Sequence, residues 1–196
     1  HTKSCCQRNH IKKEIKILTV ETFNHPLRLF QFCPKCGSGH FIENNKQSKR
    51  CEACGFVLYF NPKGAVVGII TNEKGDILVC RRAKEPAKGM LDLPGGFMDS
   101  FETAEEAVAR EIKEETGLSV TNAQYLFSLP NTYLYSGFEV HTIDLFFLCQ
   151  VTSLQLLVPQ DDVESCQFMP KEQIHPENFG LASIQKGIKI LLNRQI

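Results

Sequence analysis

No apolar run in the 196-residue sequence approaches the roughly 18 residues of a membrane-spanning helix. The opening stretch HTKSCCQRNHIKKEIKIL also lacks the continuous apolar segment of a secretory signal. A spanning helix is therefore excluded, and a soluble, cytoplasmic protein with no membrane partner is the expectation. Net charge is absent too: 22 basic and 22 acidic residues cancel, which argues against a general binder of nucleic acid. Internal repeats and low-complexity tracts are missing from the main stretch of the chain, residues 61–196. With 42% hydrophobic and 22% charged residues, the composition excludes a disordered chain and a fibre. The length suits one mid-sized core with a small accessory module.

The zero charge hides an asymmetry. Residues 1–60 carry 10 basic and 4 acidic groups, and residues 61–196 carry 12 and 18. The basic third reads either as a solvated tail or as a surface that meets the acidic remainder or an anionic substrate. Cysteine, in contrast, is abundant, with nine residues. Four of them form a doubled C-x-x-C, Cys33-Pro-Lys-Cys36-Gly and Cys51-Glu-Ala-Cys54-Gly, and five (Cys5, Cys6, Cys80, Cys149, Cys166) show no such spacing. In a reducing compartment this pattern points to metal rather than disulfides. The short spacer brings both thiolates of a knuckle to one ion, and the following glycine frees the tight turn around the sulfurs. Four thiolates leave no open position for water, so a Zn²⁺ ion here would be structural. Redox dithiols are the competing reading, but the surrounding βαβ pattern is missing.

Three parts follow from this: a basic tail over residues 1–25, with a short amphipathic stretch (Ile11, Ile15, Ile17, Leu18); a zinc ribbon over 26–60; and a main domain over 61–196. The main domain opens with an apolar run, Gly64–Thr71, a turn at Asn72–Asp76 and a second run, Ile77–Arg82. Together they predict a hairpin. After Leu93-Pro94-Gly95-Gly96-Phe97 comes the clearest helix, opened by the capping box Thr103-Ala-Glu-Glu106 and stopped by Gly117. Strand-like segments at Leu118–Leu129, Val140–Val151 and Cys166–Met169 precede an amphipathic helix over Phe179–Asn193. Interleaved strands and helices predict an α/β domain with a mixed sheet covered by helices.

The helix at 104–116 concentrates the chemistry. With Arg110 as zero and about 100° per residue, Glu114, Glu111 and Glu115 fall at roughly 40°, 100° and 140°, beside the apolar Val108 and Ile112 at roughly 160° and 200°. A purely structural helix would pair its charges at i, i+4 across a solvent face. Like charges gathered at a core edge raise one another's pKa unless something positive compensates, and a divalent metal does so with hard oxygen ligands.

Gly96, Glu102, Arg110, Glu111, Ile112, Glu114, Glu115, Gly117 and Leu118 fill the nine specified positions of G-x5-E-x7-R-E-U-x-E-E-x-G-U, where U is aliphatic. The main domain therefore resembles a Nudix hydrolase. The resemblance implies an α/β/α sandwich around a mixed sheet, in which Glu111, Glu114 and Glu115, helped by the Gly95 carbonyl, bind Mg²⁺ or Mn²⁺. Arg110 would pair with Glu102 or a helix carboxylate, and Gly96 and Gly117 would complete the box. A general base would come from Glu114 or Glu115, or from the downstream Asp161-Asp162-Val163-Glu164, whose Glu164 could instead ligate metal.

A four-cysteine ribbon directly before such a domain is similar to the NADH pyrophosphatase branch, as are Val163–Phe168 beside E-A-x-W-F and Leu181–Ile184 beside S-I-A. That branch's S-Q-P-W-P-F-P-x-S is replaced here by Ser128-Leu-Pro-Asn-Thr-Tyr-Leu-Tyr-Ser136, and tryptophan is absent from the whole chain. The resemblance implies hydrolysis of a nucleoside diphosphate linked to another group, with NAD(H) or ADP-ribose as first substrates, and a homodimer. Arg81 or Arg82 would hold phosphate, and Tyr133, Tyr135 and Phe138 would stack a base or pack in the core. A nucleotide sensor, a nucleic-acid-binding regulator and a hydrolase of nucleotide-capped RNA are the alternatives.

Overall fold

The computed structural model describes residues 25–193, and the amphipathic stretch at Ile11–Leu18 lies outside the described residues. The described chain forms two compact units that divide between Tyr59 and Phe60. Among the described residues no helix is long and apolar enough to cross a membrane.

The first unit is a three-stranded antiparallel sheet of β1 (Phe41–Asn45), β2 (Ser48–Cys51) and β3 (Val57–Tyr59), in that order. Its core is small: Cys33, Phe41 and Cys51 are buried, with Cys54, Phe56 and Leu58 packed against them. Each C-x-x-C closes into a tight turn, in which the N–H of Gly37 donates to the Cys33 carbonyl (2.8 Å) and that of Gly55 to the Cys51 carbonyl (2.9 Å). Lys49 is buried as well, its ammonium donating to the Phe30 carbonyl at 2.7 Å over the Phe41 ring.

The second unit carries β4 (Lys63–Ile69), β5 (Ile77–Arg82), β6 (Leu91–Asp92), β7 (Gly95–Phe97), α1 (Ala104–Thr116), β8 (Val120–Tyr135), β9 (Phe138–Val151), β10 (Val163–Met169) and α2 (Ala182–Leu192). Two sheets result, ordered β7-β4-β9-β8 and β10-β5-β6; β4 and β9 run parallel and every other pair antiparallel. Val66, Ile70, Leu78 and Phe147 pack on Ala107, Val108 and Ile112 of α1. Their neighbours Val67, Ile69, Val79 and Phe146 pack on Ile184, Ile188 and Leu191 of α2. Strand neighbours point to opposite faces, so the continuous apolar runs read from the sequence fill both cores. This is an α/β/α sandwich around a mixed sheet.

The expected hairpin of residues 64–71 and 77–82 is corrected. The two segments are joined by the Thr71–Ile77 bridge and the Leu78 N–H to Ile70 carbonyl bond (2.8 Å), and β4 and β5 then run in different sheets. Being apolar on both faces, β4 takes an inner place between β7 and β9, and β5 one between β10 and β6. The β8–β9 pair is also longer than expected, running through Pro130–Tyr135 to a turn at Ser136-Gly137.

The four cysteine sulfurs of the first unit lie within 4.8 Å of one another, with Cys33–Cys54 at 3.7 Å and Cys36–Cys51 at 3.6 Å. Four thiols gathered around one point in so small a core match the donor set of a tetrahedral zinc site. Elemental analysis of the purified protein should find stoichiometric zinc. Cys51→Ser should lose that zinc and the protease resistance of residues 26–59, while the helical signal of the second unit persists.

Candidate active site

Helix α1 starts as its capping box dictates: the Thr103 hydroxyl accepts from the Glu106 N–H (3.2 Å) and the Glu106 carboxylate from the Thr103 N–H (2.8 Å). Gly117 ends it in a left-handed turn, its N–H donating to the Lys113 carbonyl. With Val108 and Ile112 fully buried, the helix cannot rotate, and the flank carrying Glu111 and Glu115 is pressed against the loop of Gly95 and Gly96.

Arg110 is the hub of the exposed side. Its Nη2 and Nε donate to the two Glu102 oxygens at 2.7 and 3.1 Å, and Nη1 to Glu111 (2.8 Å) and Glu114 (3.2 Å). Nη2 also reaches the Phe97 carbonyl at 3.0 Å, which ties the loop to the helix. The guanidinium holds the Glu102 carboxyl below its usual range. Glu114 is the exposed member of the cluster, with about half of its side chain in solvent (51%).

Glu115 sits deeper. The Gly95 N–H donates to it at 2.8 Å, yet burial outweighs that bond and pushes its pKa up to about 8, with Asp92 and Glu111 adding repulsion. Burial raises the Glu111 carboxyl as well, against the lowering pull of Arg110. The glycines permit this closeness. Gly95 holds φ 151° with the Val66 carbonyl where a side chain would stand, and a Cβ on Gly96 would lie 2.6 Å from the Glu111 carboxylate. Several carboxylates on one half-buried flank, with one guanidinium already shared among three of them, make a donor set suited to a hard divalent cation.

The remaining sequence-derived residues separate. Arg82 and Arg81 point to opposite faces of β5. Arg82 is engaged, its Nη1 on Asp92 (2.6 Å) and its Nε on the Pro86 carbonyl (2.7 Å). Arg81 is exposed and contacts the Gly89 carbonyl, lining an open cavity of about 360 Å³ with Gly89, Met90, Leu91 and Asn178. Glu164 is exposed at the β10 bulge between Val163 and Ser165. Tyr135 is exposed at the end of β8; Tyr133 stands opposite Val140, and its side chain lies outside the described set. Phe138 packs edge-on against Phe60 at 5.2 Å.

Three features escaped the sequence. Asp92 is buried against Arg82 and the Leu93 N–H (2.8 Å), and burial raises its pKa despite the arginine. Asp144 is buried and accepts from the hydroxyls of Thr142 and Ser183, both at 2.5 Å. An acid inside an apolar strand was the available signal for both. The third is a thiol pair, Cys80 and Cys166, which no spacing betrays.

The profile of the NUDIX domain matches residues 61–188, more than half of the chain. The chain belongs to the NUDIX family. Among curated proteins this Nudix chain is 32% identical over 108 residues to the NAD-capped RNA hydrolase NudC of Vibrio parahaemolyticus, an overlap of 55% of this chain and 41% of that one. It is 37% identical over 127 residues to the ADP-ribose pyrophosphatase of Methanocaldococcus jannaschii, covering 64% and 72%. The Nudix chain thus spans about two fifths of the length of the first NudC proteins it matches. A solved NUDIX hydrolase from Nitrosomonas europaea shares the fold, with a TM-score of 0.65 at 22% identity over 84% of this chain and 92% of that one.

Two outcomes test the packing of the site. In the folded, metal-free chain Glu115 keeps its proton up to about 8, whereas an ordinary glutamate gives it up near 4.5. The unfolded chain therefore holds fewer protons in between, and stability falls as pH rises from about 4.5 to 8. Glu115→Gln should flatten that slope, melting roughly 5 °C above the parent at pH 8 and level with it near pH 4.5. Gly96→Ala should destabilise the chain by about 1–3 kcal/mol in denaturant titrations, because the new methyl must displace Glu111 or the loop.

Proposed function

We propose that this protein is a divalent-metal-dependent pyrophosphohydrolase that cleaves the diphosphate of a nucleoside diphosphate linked to another group, with NAD(H) or ADP-ribose as first substrates. The observation that carries the reading is the half-buried pair Glu111 and Glu115 against Gly95 and Gly96, with Arg110 already shared by Glu102, Glu111 and Glu114. The two-module layout, a ribbon over 26–60 and a hydrolase unit over 61–196, belongs to the same proposal, with Zn²⁺ structural in the ribbon.

Glu111, Glu114 and Glu115, with the Gly95 carbonyl, would hold Mg²⁺ or Mn²⁺, which supplies charge neutralisation at the diphosphate and a more acidic water. The chain's own residues do the rest. Arg110 fixes the helix against the loop, so the carboxylates stay in place without rearranging. Glu114 or Glu115 takes the proton of the attacking water at a carboxylate oxygen, with Glu164 as the alternative base or a further ligand. Water then attacks one phosphorus in line, and the phosphate on the other side of the bridging oxygen leaves. Because Arg82 is bound to Asp92, Arg81 is the arginine with a free face for substrate phosphate, with Tyr133 and Tyr135 as candidates for stacking a base.

A second reading, action on a nucleotide-capped RNA end, is favoured by the ribbon, a basic module that exposes Leu29 and Phe32 together with Arg28, Lys35 and Arg50. The names of the Vibrio relatives agree with it. Added salt would weaken turnover of capped RNA steeply and of a free dinucleotide mildly.

The test is hydrolysis of NADH, NAD⁺, ADP-ribose, diadenosine polyphosphates, nucleotide sugars and nucleoside triphosphates with Mg²⁺ or Mn²⁺, products identified by mass. Glu115→Gln should lower kcat by about 10²-fold or more. Binding of a nucleotide without cleavage of any would overturn the hydrolase reading in favour of a sensor.

A further inference from the structure

Cys80 and Cys166 stand 86 residues apart in sequence, yet they are directly opposed Cα partners in the antiparallel pair of β5 and β10, with their sulfurs 3.1 Å apart. Both are free thiols, one buried and the other partly exposed. Directly opposed residues of an antiparallel pair have Cα atoms about 4.5–5.5 Å apart, inside the roughly 4.4–6.8 Å that a disulfide spans. The sulfurs need to close by about 1 Å to reach a bond of about 2.05 Å. The pair has no part in the ribbon, whose sulfurs group separately, and the hydrolase chemistry does not use it.

We propose that Cys80 and Cys166 are a reversible oxidation site that closes into a disulfide across β5 and β10 and lowers activity at the adjacent carboxylates. The oxidant is a small-molecule disulfide such as oxidised glutathione. The thiolate of Cys166, the less buried residue of the pair, attacks one sulfur of the oxidant and releases one glutathione thiolate. Cys80 then gives up its proton and attacks the Cys166 sulfur of the mixed disulfide, releasing the second. Two protein thiols are oxidised, one S–S bond forms, and one glutathione disulfide is reduced to two thiols.

The consequence for activity follows from position. Arg82, which holds Asp92, lies two residues beyond Cys80, and Glu164 lies two residues before Cys166. Cys80 is also the directly opposed partner of Asp92 across the β5–β6 pair. Closing the sulfurs by about 1 Å re-aims both side chains and pins β5 to β10 beside the Arg82–Asp92 pair, where misplacement by about 1 Å costs up to about 10²-fold. The activity half of the proposal rests on the hydrolase reading, and the chemical half does not.

The test incubates the zinc-loaded protein with oxidised glutathione, alkylates remaining thiols and maps peptides by mass. The expected result is a loss of about 2 Da, a Cys80–Cys166 cross-linked peptide, Cys149 still reduced, and a tenfold or greater fall in turnover restored by dithiothreitol. Cys166→Ser, altered at a partly exposed strand position, should stay active and ignore the oxidant. Absence of the cross-link at full oxidation overturns the site. A cross-link with unchanged turnover overturns the control of activity. If neither redox state hydrolyses any nucleotide, the hydrolase reading fails, while the mass map still decides the fate of the thiols.

Discussion

The site depends on one electrostatic constraint: Glu111 and Glu115 are kept half out of water on the same flank of α1. No local preference favours that arrangement, since two like charges at a core edge repel and lose hydration together. It persists because Val108 and Ile112 lock the helix by their other side and because Gly95 and Gly96 let the loop close over the carboxylates. The chain compensates only partly, with one backbone N–H on Glu115 and one guanidinium divided among Glu102, Glu111 and Glu114. The shortfall is what a divalent cation can supply, which ties the packing of the helix to the chemistry of the site.

The scaffold serves that constraint. The two sheets are covered on one face by α1 and on the other by α2, so the residues on the two faces of one strand belong to different layers. Val66 and Val67 on β4 are one example, and Arg81 and Arg82 at the end of β5 are another. Arg82 is drawn into the buried pair with Asp92, while Arg81 is left beside an open cavity. Neighbouring arginines thus acquire different roles from strand geometry alone.

Local signals were legible in the sequence and long-range ones were not. The capping box at Thr103, the stop at Gly117 and the carboxylate flank of α1 follow from helical spacing, and the helix found at Ala104–Thr116 agrees with them. The grouping of the ribbon cysteines follows from C-x-x-C in the same way. The hairpin expected of residues 64–82 failed because a run that is apolar on both faces specifies an inner strand but not its neighbours. Asp92 and Asp144 each sit in an apolar segment without a motif, and their partners Arg82 and Ser183 are brought to them by tertiary packing. The Cys80–Cys166 pair depends on the register of two strands separated by most of the domain, which no local pattern encodes.

The most direct measurement of the central claim is a Mn²⁺ titration followed by electron paramagnetic resonance, comparing the parent protein with Glu111→Gln and Glu115→Gln. Saturable binding in the parent, weakened by at least tenfold in both variants whose folds persist, is the predicted result. Equal Mn²⁺ binding in all three proteins, or none in the parent, would contradict the view that this carboxylate flank is built to hold a cation.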